Sequence, residues 1–300
     1  MGLGHRGTTK SGGQKDGLDR FYTSVDEARR LVRLIAPHLP GLVIEPSAGK
    51  GAFVLALEEA SFDVLAYDIE PDSSPVCSAP IVTADFLTLQ ASDILSVRPG
   101  YASSSTAFVG NPPFGVQGRL AIRFLRHCLE LADDVWMILP PSFRKHSMAD
   151  KVGNGELLEV IDLSGTTYAT PVGDVEVPSS MMHWHACDGR AAKAARRQEE
   201  QEAIAGLPFE FLSWAASVSG DEGDGLFTIR RVGGTSGKAS PSTAVSAQSN
   251  YLCRVRDGYD RDAVIAWVSG TDFPERDWSV GPRSLSKGEI ALRLGQSPLR

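Results

Sequence analysis

From residue 24 onward, short apolar runs alternate with stretches whose apolar positions recur every three or four residues. Ser24-Val25-Asp26-Glu27, a serine followed three residues later by a glutamate, predicts the start of a helix. That helix should run to about Ala36 with Leu31, Leu34 and Ile35 on one face, stopped by Pro37 and Pro40-Gly41. Leu42 to Glu45 predicts a short buried strand, Ser47 to Gly51 a turn, and Ala52 to Ala60 a helix. Further strands are predicted at Val64–Tyr67, Ile81–Thr83, Thr106–Gly110 and Val135–Leu139, the last ended by Pro140-Pro141. Between the last two, a helix over 117–131 carries Leu120, Phe124, Cys128 and Leu131 at near-helical spacing. Leu157–Leu163 and Ser179–Trp184 complete a set of seven strands. Strands alternating with helices predict an α/β fold: a doubly wound, seven-stranded, mostly parallel sheet.

Beyond residue 189 the pattern changes. Arg190 to Ala205 is charged and alanine-rich and predicts a helix or helical linker. Strand-like Leu226–Val232 and Tyr251–Val255 flank Gly233–Ser249, whose Ser, Gly, Thr and Ala predict a mobile loop, and Asp262–Val268 predicts a short helix. The expected organisation is a flexible tail over 1–18, a main domain over 19–189, and a small C-terminal α+β extension over 190–300 for substrate recognition or an accessory role. No internal repeat is evident.

The 300 residues, 42% hydrophobic and 22% charged, allow a sizeable core and exclude global disorder. No apolar run reaches membrane-spanning length, so no membrane partner is expected. Residues 1–17 lack the apolar stretch of a secretory signal, and Arg6 stands where a myristoylation signal beginning at Gly2 needs Ser or Thr. Cys77, Cys128, Cys187 and Cys253 are widely spaced with no C-x-x-C pair, which fits a reduced intracellular setting, cytoplasmic or nucleoid/nuclear. A net charge of −7 does not suit a protein that coats nucleic acid by charge. The acidic excess lies in residues 1–189, with 15 Lys and Arg against 23 Asp and Glu. Residues 190–300 hold 15 against 14 and are the expected place for phosphate contacts.

The residues that carry chemistry sit at predicted strand ends. Asn111-Pro112-Pro113-Phe114 follows a strand, and its two prolines can continue neither sheet nor helix, so they hold the Asn side chain and the neighbouring carbonyl at the strand tip. An amide oxygen, a fixed carbonyl and an aromatic face suit a planar ring bearing an exocyclic amine. Glu45-Pro46-Ser47-Ala48-Gly49-Lys50-Gly51 joins strand to helix; its glycines allow a tight turn and close approach of a ligand to a helix N-terminus. Asp68, 17 residues after Gly51, ends the next strand near the distance at which a carboxylate meets the ribose hydroxyls of a nucleoside. Asp85-Phe86 ends the third strand, where a carboxylate can accept from an adenine amine beside an aromatic wall.

The ordered set Phe21-Tyr22-Thr23, E-P-S-A-G-K-G over 45–51, Asp68, Asp85-Phe86 and Asn111-Pro112-Pro113-Phe114 resembles the S-adenosylmethionine-dependent N6-adenine methyltransferases, specifically those whose cofactor motifs precede the catalytic tetrapeptide. The resemblance covers about residues 19–186 and implies a Rossmann-like methyltransferase fold with S-adenosyl-L-methionine as cofactor. It implies that Phe21, Tyr22 and Thr23 fold over the methionine end of the cofactor, and that Glu45, Pro46, Gly49 and Gly51 line that moiety. It implies that Asp68 holds the ribose, that Ile69 packs on the cofactor adenine, and that Asp85 reads its amine with Phe86 beside it. Asn111 and Pro112 would accept the two N6–H bonds of a target adenine, and Phe114 would stack on it. The family's later aromatic, which also sandwiches the target base, has no clear counterpart; Tyr168 is one candidate. The implied activity is methylation of adenine N6 in nucleic acid, with DNA slightly favoured by motif order and by the placement of the C-terminal segment. RNA, glutamine-amide methylation in a protein, and a catalytically silent binding module remain open alternatives.

Weaker signals read mainly as structure. His183, His185 and Cys187 share a strand face but have no second ligand group nearby in sequence, so no metal is expected. Arg144-Lys145-His146 and Arg230-Arg231 with Lys238 are candidate phosphate contacts. Phe211 to Trp214 is expected in the core of the small domain.

Overall fold

Apolar runs of four to six residues form the centre of a sheet, buried as a parallel sheet covered by helices requires. In the computed structural model, which describes residues 21–170, 173–214, 225–279, 282–296 and 299, these runs are β1 (Leu42–Glu45), β2 (Asp63–Asp68), β4 (Thr106–Gly110) and β5 (Asp134–Leu139), and the three-residue β3 (Ile81–Thr83), largely exposed, forms one edge beside β2. The predicted tail over 1–18 lies outside the described residues. β6 (Gly155–Asp162), the small hairpin β7 (Thr167–Thr170) and β8 (Gly173–Glu176), and β9 (Ser180–Ala186) follow. The seven-stranded sheet has the order β3-β2-β1-β4-β5-β9-β6, parallel except for β9, which runs antiparallel to both its neighbours. The order reverses between β1 and β4, so the loops leaving these two strands open the crevice where ligands bind in such sheets.

Contacts divide the chain into two units, Met1–Pro140 with Lys151–Asp188, and Pro141–Asp150 with Gly189–Arg300. In the first, α1 (Val25–Ile35) starts where Ser24 Oγ accepts the Glu27 N–H at 3.2 Å. Glu27 turns its carboxylate to Arg30, at 2.8 and 2.6 Å, instead of back to the cap. Ala28, Leu31, Val32 and Ile35 form the buried stripe, whereas Leu34 is 50% exposed because it stands at the stripe's rim. α2 (Ala52–Glu59), α3 (Ala91–Val97) and α4 (Arg119–Leu131) follow. α4 begins two residues later than the sequence predicts because Gln117 and Gly118 are in the left-handed region. Phe86, Tyr67, Phe108, Phe124 and His127 form an aromatic cluster in the core. His183 and His185 bond one oxygen of Asp134 on β5, at 2.8 and 3.0 Å, and the His183 ring stacks on Trp136. No group of three metal-ligating side chains is present among the described residues.

α5 (His146–Val152) begins in the segment that joins the second unit. There, α6 (Gly189–Ala205) leads to β10 (Phe209–Leu212), β11 (Leu226–Arg230), β12 (Ala239–Ser240) and β13 (Asn250–Val255), an antiparallel sheet in the order β10-β13-β11-β12. α7 (Arg261–Gly270) and α8 (Lys287–Gly295) complete it around a core of Phe209, Phe227, Ile229, Cys253, Val264, Phe273 and Ile290. Gly233–Ser249 is more built than the predicted loop. Its Ala239-Ser240 pairs with β11, Ser236 is buried, and Gly237 adopts φ +91° against the Phe273 ring. No helix among the described residues is long and apolar enough to cross a membrane.

Candidate active site

The C-terminal tips of β1, β2, β3 and β4 lie on one sheet edge because these strands are parallel. After β1, the chain turns through Gly49 (φ +53°) and Gly51 (φ +81°), the latter capping α2. Asp68 braces the turn: Oδ2 accepts the Gly49 N–H at 2.7 Å and Oδ1 accepts the Glu70 N–H at 2.8 Å. Each oxygen keeps a second lone pair. Ile69 beside it is 57% exposed. Asp85 is also exposed; its Oδ1 accepts the Leu87 N–H at 3.1 Å and so starts a short 3-10 turn. Phe86 departs from the expectation of an aromatic wall. Its ring is buried in the core cluster because the same turn that directs Asp85 outward directs its neighbour inward.

Glu45 is the buried acid of the site. Its carboxylate accepts the Val54 N–H at the start of α2, and its Oε2 has no hydrogen-bond partner. Burial pushes its carboxyl well above the usual range, opposed by the Val54 bond and reinforced by the charge of Asp68. Its side chain lies along Gly110: a Cβ at 110 would meet Glu45 Cγ and Pro46 Cδ at 3.4 Å each. The first and fourth strand tips are therefore in close contact.

At the tip of β4, the Asn111 carboxamide has a settled orientation. Its Nδ2 donates to the Phe21 carbonyl at 2.8 Å and to Thr23 Oγ1 at 3.2 Å. A carbonyl can only accept, so the nitrogen faces Phe21 and the amide oxygen is the other arm. That Oδ1 is buried and has no partner. The Asn111 backbone carbonyl accepts from Ser47 Oγ at 3.4 Å, which ties this loop to the glycine turn. Pro112 and Phe114 are both buried. The Phe114 carbonyl takes the N–H groups of Leu120 and Ala121, at 3.1 and 3.2 Å, and so is anchored to the start of α4. Gly115 (φ +68°), Gln117 (φ +56°) and Gly118 (φ +73°) allow the return, leaving Val116 71% exposed at the loop's end.

Phe21-Tyr22-Thr23 runs across both loops. Tyr22 forms a two-bond bridge with Ala169 on β7, at 2.8 and 3.1 Å. Its ring lies 3.0 Å from where a Cβ at Gly49 would stand, and Lys50 Nζ sits 4.8 Å from its centroid. Phe21 and Phe114 stack, with ring centroids 6.0 Å apart and planes at 23°. The candidate catalytic and cofactor-binding residues named in the sequence thus fall on this edge of the first unit, except the Phe86 ring. Tyr168 is not available to a ligand: its ring is 1% exposed and its hydroxyl meets Ser179 Oγ at 2.6 Å.

Sequence reasoning missed Cys77, whose Sγ fills the space beside Gly51 at 2.5 Å from a Cβ built there. It also missed Ala169, the anchor of Tyr22. Neither carries a motif; only the tertiary contact reveals them. In the second unit, Lys145 is held by the Ser284 carbonyl at 3.0 Å and by Glu289, and His146 by Glu200 at 2.8 Å. Arg144 lies over the Trp278 ring, and Lys238 Nζ donates to the Ser269 carbonyl at 2.5 Å. These basic residues are engaged with their own unit.

A parallel sheet of this strand order with a single antiparallel strand inserted beside β5 is the sheet of the Rossmann-like class I methyltransferases. No protein-family model and no curated protein sequence matches the chain. Among solved structures, it is similar to a proposed RNA methyltransferase from Pyrococcus horikoshii at 14% identity and a TM-score of 0.40, over 59% of this chain and 91% of that one. It is similar to the modification subunit of a proposed type I restriction enzyme from Vibrio vulnificus at 14% identity and a TM-score of 0.41, over 58% of this chain and 46% of that one. It is also similar to the 23S rRNA methyltransferase ErmE at 19% identity and a TM-score of 0.40, over 63% and 80% of the two chains. The strand order by itself defines the fold.

Proposed function

We propose that the chain is an S-adenosylmethionine-dependent methyltransferase acting on the N6 amine of adenine in nucleic acid, with DNA slightly favoured over RNA. One observation carries this reading above the others. Asn111 has its amide nitrogen committed to Phe21 and Thr23 and its oxygen buried without a partner, in a loop that continues into Pro112 and Phe114. An orphan acceptor at the switch point of the sheet wants an N–H donor.

The residues present fit the cofactor on three counts. A buried carboxylate oxygen of Glu45 lacks a partner, Ile69 offers an exposed apolar face beside the Asp68 carboxylate, and the Asp85 carboxylate is exposed at the next strand tip. Glu45, Pro46, Gly49 and Gly51 would hold its methionine end, Asp68 its ribose, and Ile69 and Asp85 its adenine. When bound, S-adenosylmethionine would supply a methyl group on a positively charged sulfur, which a nitrogen lone pair can attack as the carbon–sulfur bond breaks with its electron pair to sulfur and the surplus amine proton leaves to water. An adenine amine is a poor nucleophile because its lone pair is shared with the ring. Asn111 Oδ1 and the Pro112 carbonyl, each accepting one N–H, bias the nitrogen toward tetrahedral geometry and free that lone pair. Neither acceptor titrates near neutral pH, so their part is positioning and fixed dipoles. Within a duplex the base must first leave the stack, at a cost of roughly a few kcal/mol.

The test is nucleoside mass spectrometry of DNA and RNA, with peptide mass spectrometry of a protein extract in parallel, each incubated with the protein and S-adenosylmethionine. N6-methyladenine should appear, and Asn111→Ala should abolish it while cofactor affinity, read by calorimetry, stays within about threefold. Asp68→Ala should weaken the cofactor instead. Methyl groups found only on protein glutamine, or cofactor binding lost with Asn111→Ala, would remove adenine from the site.

A further inference from the structure

We infer that Phe21 is a wall of the target-base slot, facing Phe114, and that Tyr22 alone of the tripeptide's aromatics serves the cofactor side. This rests on the methyltransferase reading above and reassigns one residue within it. The resemblance puts all three residues of the tripeptide over the cofactor. The backbone separates them. In an extended segment, successive side chains point to opposite sides. Tyr22 goes to the glycine turn, within contact of Gly49 and under Lys50. Phe21 and Thr23, two residues apart, both go to the catalytic loop: Thr23 Oγ1 meets Asn111 Nδ2, and the Phe21 ring meets the Phe114 ring.

The stack pairs two aromatic walls. Its ring centroids are 6.0 Å apart and its planes are tilted by only 23°. A planar base needs about 3.5 Å of clearance on each face, about 7 Å between walls. The two rings must part and level to admit it. The polar end of the slot is built by the same residues. The Phe21 carbonyl takes the Asn111 nitrogen and so leaves the amide oxygen without a partner, one residue before Pro112 and three before Phe114. Phe21 thus contributes a ring to the base face and a carbonyl that sets the orientation of the acceptor. Tyr22, bonded twice to Ala169, fixes the backbone between the two functions.

The experiment compares the full-length wild type with Phe21→Leu, Phe21→Trp and Tyr22→Ala. Tritiated methyl transfer to heat-denatured genomic DNA and to total RNA is measured across nucleic-acid concentrations, and S-adenosylmethionine affinity is measured by calorimetry. Phe21→Leu keeps apolar bulk but loses the π face. It should lower kcat/KM for nucleic acid by about tenfold or more, chiefly through KM, as loss of one base–aromatic stack does. Its cofactor affinity should stay within about twofold. Phe21→Trp, which restores a π face, should return transfer to within about threefold of wild type. Tyr22→Ala should show the reverse pattern, with cofactor affinity reduced about fivefold or more. Unchanged transfer with Phe21→Leu, or cofactor loss as large as that of Tyr22→Ala, overturns the assignment while leaving the methyltransferase reading in place. A wild type that methylates neither nucleic acid overturns both.

Discussion

Gly51 offers a test of the cofactor turn in which two costs can be separated. Alanine at 51 must adopt φ +81°, and its Cβ would lie 2.5 Å from Cys77 Sγ and 3.3 Å from Cys77 Cβ. The left-handed conformation costs about 1–2 kcal/mol. The overlap with sulfur costs about 1–3 kcal/mol, the usual range for an overpacked contact. Cys77 has little freedom to withdraw. Its segment is held by Val76 N–H to the Lys50 carbonyl at 3.0 Å, and by Ser78 and Ala79 N–H to the Glu58 carboxylate at 3.0 and 2.6 Å. Gly51→Ala should therefore destabilise the first unit by about 2–5 kcal/mol. Cys77→Ala alone should cost less than about 1 kcal/mol, since the side chain is only half-buried. The double variant should recover the overlap but not the backbone cost, giving a coupling of at least about 1 kcal/mol. Hydrogen exchange of the amides in β1 and α2 reads the first unit by itself, which a global melt of a two-unit chain does not. Effects of the two substitutions that add within about 0.5 kcal/mol would refute the claim that Cys77 closes the space beside Gly51.

Two further predictions concern buried polar groups. Burial raises the Glu45 carboxyl well above its ordinary value of 4.5, so the folded chain holds that proton more tightly than the unfolded chain does. Stability from this site is fully present below about 4.5 and falls as pH rises toward the raised value, by up to about 1.4 kcal/mol per pH unit. Glu45→Gln removes that slope, so its stability relative to wild type should grow with pH in denaturant titrations; parallel pH profiles would contradict this. Burial, partly opposed by the bond to Ser179, pushes the Tyr168 hydroxyl up to about 12. Tyr168→Phe leaves Ser179 Oγ buried and unpaired, at about 1–3 kcal/mol, and should speed exchange of the Ala169 amide that holds Tyr22; unchanged exchange would disprove a role for this pair in anchoring the tripeptide.

The strands of the sheet were legible because apolar runs ended by glycine or proline leave little choice of bounds. β1, β3 and β4 begin and end at the residues the sequence predicts. The β7–β8 hairpin was not legible: its residues are mostly polar and exposed, with no apolar alternation to reveal a strand. α3 buries only Ile94 and so carries no stripe. The membership of residues 141–150 in the second unit depends on contacts such as Lys145 with Ser284, 139 positions away, which no local pattern encodes. In the candidate site, residue types and their order along the strand tips could be read, but side-chain direction could not. Asp85-Phe86 reads as one motif, yet the turn points the two side chains opposite ways. Phe21-Tyr22 reads as one segment, yet its alternation divides it between two loops.

That division bears on what the proposed site would select. Leaving Asn111 Oδ1 without a partner costs about 1–3 kcal/mol, and an incoming N–H donor recovers it. A base presenting a carbonyl oxygen at the same place recovers nothing and sets one acceptor against another, so a keto base is disfavoured by repulsion as well as by the missing bond. An amide that rotated freely could turn its nitrogen toward such a base and lose this discrimination. Here the rotation would sacrifice the bonds from Nδ2 to the Phe21 carbonyl and to Thr23 Oγ1. On the proposed reading, the preference for an amine over an oxo group therefore depends on the N-terminal tripeptide, which keeps the oxygen of Asn111 as the arm the substrate meets.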